Sequence, residues 1–88
     1  MLIKKMKINN RVGLHARPVS IIAAEAQKYI SNISIKYGKY TVNAKSSVKL
    51  LSLCVVAGKY VELICDGQDE QIAMEQLIRV FRSVDEEH

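Results

Sequence analysis

The spacing of apolar residues changes several times along the chain, and each change marks a new element. Leu2 to Ile8 mixes Leu, Ile and Met with lysines and reads as a strand. From about Ala16 to Ile30, Val19, Ile22, Ala23, Ala26 and Ile30 recur at helical spacing. Pro18 suits the first helical turn, where a missing N–H costs nothing. Because the residue before a proline avoids the helical region, Arg17 is expected at the boundary. Ile33 and Ile35 then alternate with Ser34 and Lys36 as a half-buried strand does. Tyr37-Gly38-Lys39-Tyr40 reads as a hairpin turn into a short strand, Tyr40 to Asn43, with both tyrosines covering the sheet edge.

Val48, Leu50, Leu51, Leu53 and Val55 suit a short buried helix, opened by Ser46 or Ser47 and broken by Gly58. Tyr60 to Cys65 is rich in strand formers and stops at Asp66-Gly67. The last helix runs from about Asp69 to Val84, with Ala73, Leu77, Val80, Phe81 and Val84 on one face. Asp69 is its expected cap, and Arg79 and Arg82 complement the dipole at its far end.

The order is therefore β-α-β-β-α-β-α. A right-handed β-α-β crossover makes the second strand parallel to the first and leaves room between them. Inserting the last strand there, antiparallel to both neighbours, gives the order 1-4-2-3. Three helices on one face bury its apolar side and leave the other face partly wet. The expected fold is α+β, a split-βαβ open-faced sandwich with a four-stranded antiparallel sheet.

Composition narrows the class. Eighty-eight residues make one domain spanning 1–88, and 49% hydrophobic residues supply a core without metal or disulfide staples. With one Phe and no Trp, that core is aliphatic. Cys54 and Cys65 fit no metal-ligand spacing and read as buried, inert thiols suited to a reducing cytosol. Lysines interrupt the only apolar stretch near the N-terminus, so no signal peptide is expected, and no run reaches membrane-spanning length. A cytoplasmic location follows as an expectation. The net charge of +4 favours acidic partners, but the lysines are scattered and no RNA-module signature is present, so nucleic acid is not an expected partner. His88 is the terminal residue and carries no expected role.

Gly13-Leu14-His15-Ala16-Arg17-Pro18 carries the chemistry. It sits where a strand hands over to a helix, and a helix N-terminus offers unpaired N–H groups and partial positive charge to an anion. That positive end disfavours a second positive charge, leaving a neutral imidazole whose lone pair can attack phosphorus. Once a phosphoryl group is attached, the same amides and the Arg17 guanidinium can balance its charge. Alone, a surface His, an exposed Arg or a helix-starting Pro is usually idle. Their combination at this point of the topology is what points to phosphoryl transfer.

This hexapeptide resembles the HPr family, the histidine-containing phosphocarriers of the bacterial phosphoenolpyruvate-dependent sugar phosphotransferase system. The similarity extends through Asn43-Ala44-Lys45-Ser46 with Lys49-Leu50 and Ser52-Leu53, and through Gly67-Gln68-Asp69-Glu70-Gln71. It implies that His15 takes a phosphoryl group on Nδ1 from phosphorylated enzyme I and passes it to enzyme IIA domains, with Arg17 stabilising the phosphorylated state. The protein would then be a carrier and not an independent catalyst, working as a monomer without cofactor, metal or membrane insertion. The resemblance also implies a second site at Ser46, phosphorylated in some relatives by an HPr kinase/phosphorylase so that the product serves a catabolite control regulator as corepressor. An alternative reading makes that corepressor role the whole function, although regulatory relatives of that kind lack the histidine.

The partner-binding surface is expected from Ala16, Ser20, Lys45, Val48, Lys49 and Leu51. In it, Val48 and Leu51 form an apolar centre, and Lys45 and Lys49 join Arg17 in a basic rim. Three positions depart from the family pattern: Ser47 where an apolar residue is usual, Val12 where a polar one is more common, and Cys54 where glycine is common.

Overall fold

Alternate burial along the strands fixes which way each one faces. Val61, Leu63 and Cys65 are buried while Tyr60 and Asp66 are exposed, and Ile33 and Ile35 are buried while Asn32 and Lys36 are exposed. The computed structural model describes residues 1–85. Its elements are β1 (Leu2–Lys7), α1 (Ala16–Ala26), β2 (Asn32–Tyr37), β3 (Tyr40–Asn43), α2 (Ser47–Ser52), β4 (Tyr60–Asp66) and α3 (Glu70–Asp85). The sheet order is β1-β4-β2-β3, and every neighbouring pair is antiparallel. This is the expected topology. Among the described residues no helix is long and apolar enough to cross a membrane.

The three helices share one face of the sheet. Val19, Ile22, Ala23 and Ala26 from α1, Leu50 from α2, and Ala73, Leu77, Phe81 and Val84 from α3 close over Ile33, Ile35, Val61 and Leu63. Each large aliphatic side chain removed from water there contributes about 1.5–3 kcal/mol. Outside the helical layer, Asp69 accepts the amides of Ile30 and Ser31 at 3.0 and 2.9 Å and the Ser31 hydroxyl. Its carboxylate therefore pins the entry to β2 against the start of α3, beyond the capping position expected of it.

Four local expectations change. Helix α1 begins at Ala16 with His15 as its cap, so Arg17 is a helical residue and Pro18 takes the third position. The first-turn amides have no intrahelical partner, which makes a proline as harmless at that position as at the first. The same helix ends at Ala26, so Ile30 lies outside it and is 72% exposed despite its helical spacing. Helix α2 spans only Ser47–Ser52 with Ser46 as its cap, and only Leu50 of its residues is buried. The chain leaves it through Cys54, which has φ of 52° and an exposed side chain, so only Cys65 is a buried thiol. His88 lies outside the described residues.

Candidate functional site

The β1–α1 loop is pressed onto the segment between α2 and β4, and Gly13 makes that possible. A Cβ at Gly13, where φ is +76°, would sit 2.3 Å from the Val55 carbonyl oxygen and 2.9 Å from the Val56 Cα. The Leu14 amide donates to that same carbonyl at 2.9 Å, and the Leu14 side chain is buried in the core. His15 follows this anchored pair. It caps α1 with extended backbone, φ −107° and ψ −175°, and its side chain makes no capping hydrogen bond. Its carbonyl instead accepts the Val19 amide at 3.1 Å, leaving the half-buried imidazole at the helix mouth.

Pro18 has no N–H, so the amides heading the helix belong to Ala16 and Arg17. No acidic residue occupies the first turn of α1, so that turn itself supplies no carboxylate to its positive end. The ring, these amides and the Arg17 side chain can hold a tetrahedral anion by the means a helix N-terminus uses for phosphate.

A shallow hollow of about 140 Å³ runs between α1 and α2, lined by Ala16, Val19, Ser20, Ser47, Val48 and Leu51. Val48 is 77% and Leu51 43% exposed, so two apolar side chains lining the same hollow are open to solvent. The structure thus brings Ala16, Ser20, Val48 and Leu51 together beside His15. Lys49 is exposed on the same short helix.

The cationic rim is not assembled as expected. The Lys45 ammonium donates to the Tyr29 carbonyl at 2.6 Å, and the Lys45 carbonyl accepts the Gln27 side-chain amide at 2.9 Å. Both contacts lie at the C-terminal end of α1, about 15 Å along the helix from Arg17. Lys45 therefore neutralises the negative end of α1 and joins that end to the start of α2. Ser46 lies there too. Its Oγ accepts the Lys49 amide at 3.3 Å, so Ser46 caps α2 whereas His15 caps α1.

Two contributors escape a reading of the sequence. Asn10 is only 3% exposed, its Oδ1 accepts the Val12 amide at 3.0 Å, and its carbonyl accepts the Gly13 amide at 2.8 Å. Asp85 binds the same loop from the end of α3. The Asn9-Asn10 pair after an apolar strand is a turn signal that could have drawn attention to the first. Nothing local in the sequence points to the second.

The family model described as PTS HPr component phosphorylation site matches residues 2–83. The HPr-like protein Crh of Halalkalibacterium halodurans is 41% identical over 78 residues, which cover 89% of this chain and 93% of that protein. The phosphocarrier protein HPr of Treponema pallidum is 33% identical over 87 residues, covering 99% of both. A solved histidine-containing phosphocarrier protein from mycoplasma superposes with a TM-score of 0.93 at 30% identity, over 96% of each chain.

Proposed function

The chain belongs to the HPr family of phosphocarrier proteins of the phosphotransferase system, and we propose that it accepts a phosphoryl group on His15 from phosphorylated enzyme I and passes it to enzyme IIA domains. The observation carrying this reading is the His15 imidazole at the mouth of α1, uncommitted to capping and next to the Ala16 and Arg17 amides. The ring nitrogen lone pair attacks phosphorus, the bond from phosphorus to the donor breaks, and the donor leaves with that electron pair. The helix end and Arg17 then balance the charge of the phosphohistidine. In the second transfer His15 is the leaving group, and an acceptor on the IIA domain forms the new bond.

Partners dock over the hollow between α1 and α2, with Val48 and Leu51 as its apolar centre and Lys49 and Arg17 at its margin. The protein is a substrate of other enzymes in this scheme and works in the cytoplasm. Incubation with enzyme I and phosphoenolpyruvate, read by mass spectrometry under conditions that preserve the acid-labile P–N bond, is expected to add one phosphoryl group. His15→Ala should abolish it. Labelling retained in that variant would refute the assignment.

A second use is favoured by the similarity to the Crh protein and by Ser46 as the cap of α2. A phosphate at this cap carries about −1.5 to −2 charges and is compatible with the helix end. It would therefore leave α2 folded while adding negative charge next to Ser47, which lines the docking hollow. An HPr kinase/phosphorylase with ATP is expected to modify the wild-type chain and spare Ser46→Ala. Modification of both would remove Ser46 from the proposal.

A further inference from the structure

The face of the sheet away from the helices has its own charge pattern. Strand register sets Lys5 and Lys36 on either side of Glu62 in one cross-strand row. In the adjacent row Lys7 pairs with Tyr60. Lys39 in the hairpin turn and Lys59 just before β4 stand at the same end of the sheet. A shallow hollow of about 390 Å³ opens among Lys5, Lys36, Gly38, Tyr60 and Glu62. One carboxylate thus lies amid three ammonium groups on the face and two on its rim. At the other end, Asp66 and Glu70 are occupied by the N-terminal amine at 3.7 and 3.1 Å.

We infer that this basic end of the open face is a docking surface for anionic phospholipid, lying on a bilayer while His15 and the α1–α2 hollow, on the helical side of the sheet, stay accessible. Several observations select a lipid surface. The face is a sheet with shallow hollows, suited to a broad planar partner. Its cations are all lysines, strongly hydrated point charges, whereas Arg11, Arg17, Arg79 and Arg82 lie on the loop and helices. Its exposed aromatic ring, Tyr60, is covered by the Lys5 ammonium at 4.9 Å from the ring centre, which leaves no platform for successive bases. Ile3, 55% exposed, and the half-buried Ile64 pair in the next row. An apolar patch beside lysines and a tyrosine suits the boundary between headgroups and acyl chains. Against a polynucleotide those isoleucines would find no partner.

The test is cosedimentation of the full chain with vesicles of phosphatidylglycerol and phosphatidylcholine in equal parts, and with phosphatidylcholine alone. Binding is expected only to the anionic vesicles, and high salt should release it. The variant K5Q/K7Q/K36Q should bind about ten-fold more weakly or worse. K28Q/R79Q/R82Q removes the same charge from α3 and the turn after α1 and should bind as wild type. Unfolding curves for both variants establish that each is folded. Absence of binding to anionic vesicles at low salt would overturn the inference. So would equal loss in the two variants, or tighter binding to polyuridylate than to vesicles.

Discussion

Asp85, in the last turn of α3, accepts the backbone amides of Asn9 and Asn10 at 3.2 Å each, one on each carboxylate oxygen. Asn10 answers by donating its side-chain amide to the Val84 carbonyl at 3.0 Å. The end of the last helix thus holds the root of the loop that presents His15. Asn10→Ala removes the carboxamide and strands the Val84 carbonyl and the Val12 amide, a loss of about 1–3 kcal/mol. Urea unfolding should show that loss, and labelling of His15 by enzyme I should slow in the folded variant. A change within about 0.5 kcal/mol, as for an ordinary surface site, would mean that water replaces these contacts.

Cys54 is the non-glycine residue with positive φ among those described, at 52°. Its Cβ clashes there with the following carbonyl in a way glycine avoids, at about 1–2 kcal/mol. Glycine also gains freedom in the unfolded chain, which returns part of that difference. Cys54→Gly is therefore expected to stabilise the fold by about 0.5–1 kcal/mol. Thermal unfolding at one protein concentration would reveal it as a raised Tm. A lowered Tm would mean that the exposed thiol makes a contact worth more than the strain.

The two thiols should also separate chemically. Cys65 is fully buried, and burial pushes its thiol up to about 11, while Cys54 is exposed. Since the thiolate is the reactive form, a maleimide at neutral pH should modify Cys54 quickly and Cys65 only on unfolding. Rapid double modification of the native protein would contradict the packing of β4.

Strand positions are the most legible part of the sequence, because alternation such as Val61, Leu63 and Cys65 has one solution when a single face is buried. The topology follows from element order and handedness. The ends of the helices do not. The apolar run from Val48 to Val55 serves three purposes: Leu50 enters the core, Val48 and Leu51 stay at the surface, and Val55 is buried beyond the helix. Helical periodicity cannot separate these uses. Neither can it show that Ile30 lies past the last turn of α1. The histidine segment is local in sequence and readable from it. The Lys45 contact to Tyr29 and the Asn10–Asp85 clamp join distant parts of the chain, so no window of sequence contains them.

Acid should loosen the junction between α3 and β2. The Asp69 carboxyl is held below its ordinary value first by the Ser31 hydroxyl and then by the Ile30 and Ser31 amides, against partial desolvation. Glu70 is lowered by the Gly67 amide and the N-terminal amine. Carboxylates with depressed folded values stabilise fully above their unfolded values, 3.8 and 4.5, and lose that contribution as pH falls through the folded ones. The Tm of wild type should thus fall steeply below about pH 4. Asp69→Asn should have a lower Tm at neutral pH and a shallower acid decline. Parallel acid profiles for the two proteins would exclude Asp69 as a source.

Gly13→Ala and Gly38→Ala should differ although both glycines have positive φ, +76° and +61°. At Gly38 nothing lies within 4 Å of the new methyl, so only the backbone conformation is penalised, by about 1 kcal/mol. At Gly13 the methyl meets the Val55 carbonyl oxygen at 2.3 Å and the Val56 Cα at 2.9 Å, main-chain atoms that no rotamer change can move aside. Overpacking adds to the backbone term and brings the expected loss to about 2–5 kcal/mol. The chain can relieve it only by lifting the loop off the Val55–Val56 segment, which breaks the Leu14 bond to Val55 and displaces His15. Urea unfolding should therefore rank Gly13→Ala well below Gly38→Ala, and enzyme I should label the Gly13 variant slowly even where it is folded. Equal stability and equal labelling of the two variants would show that this close approach does not position the histidine.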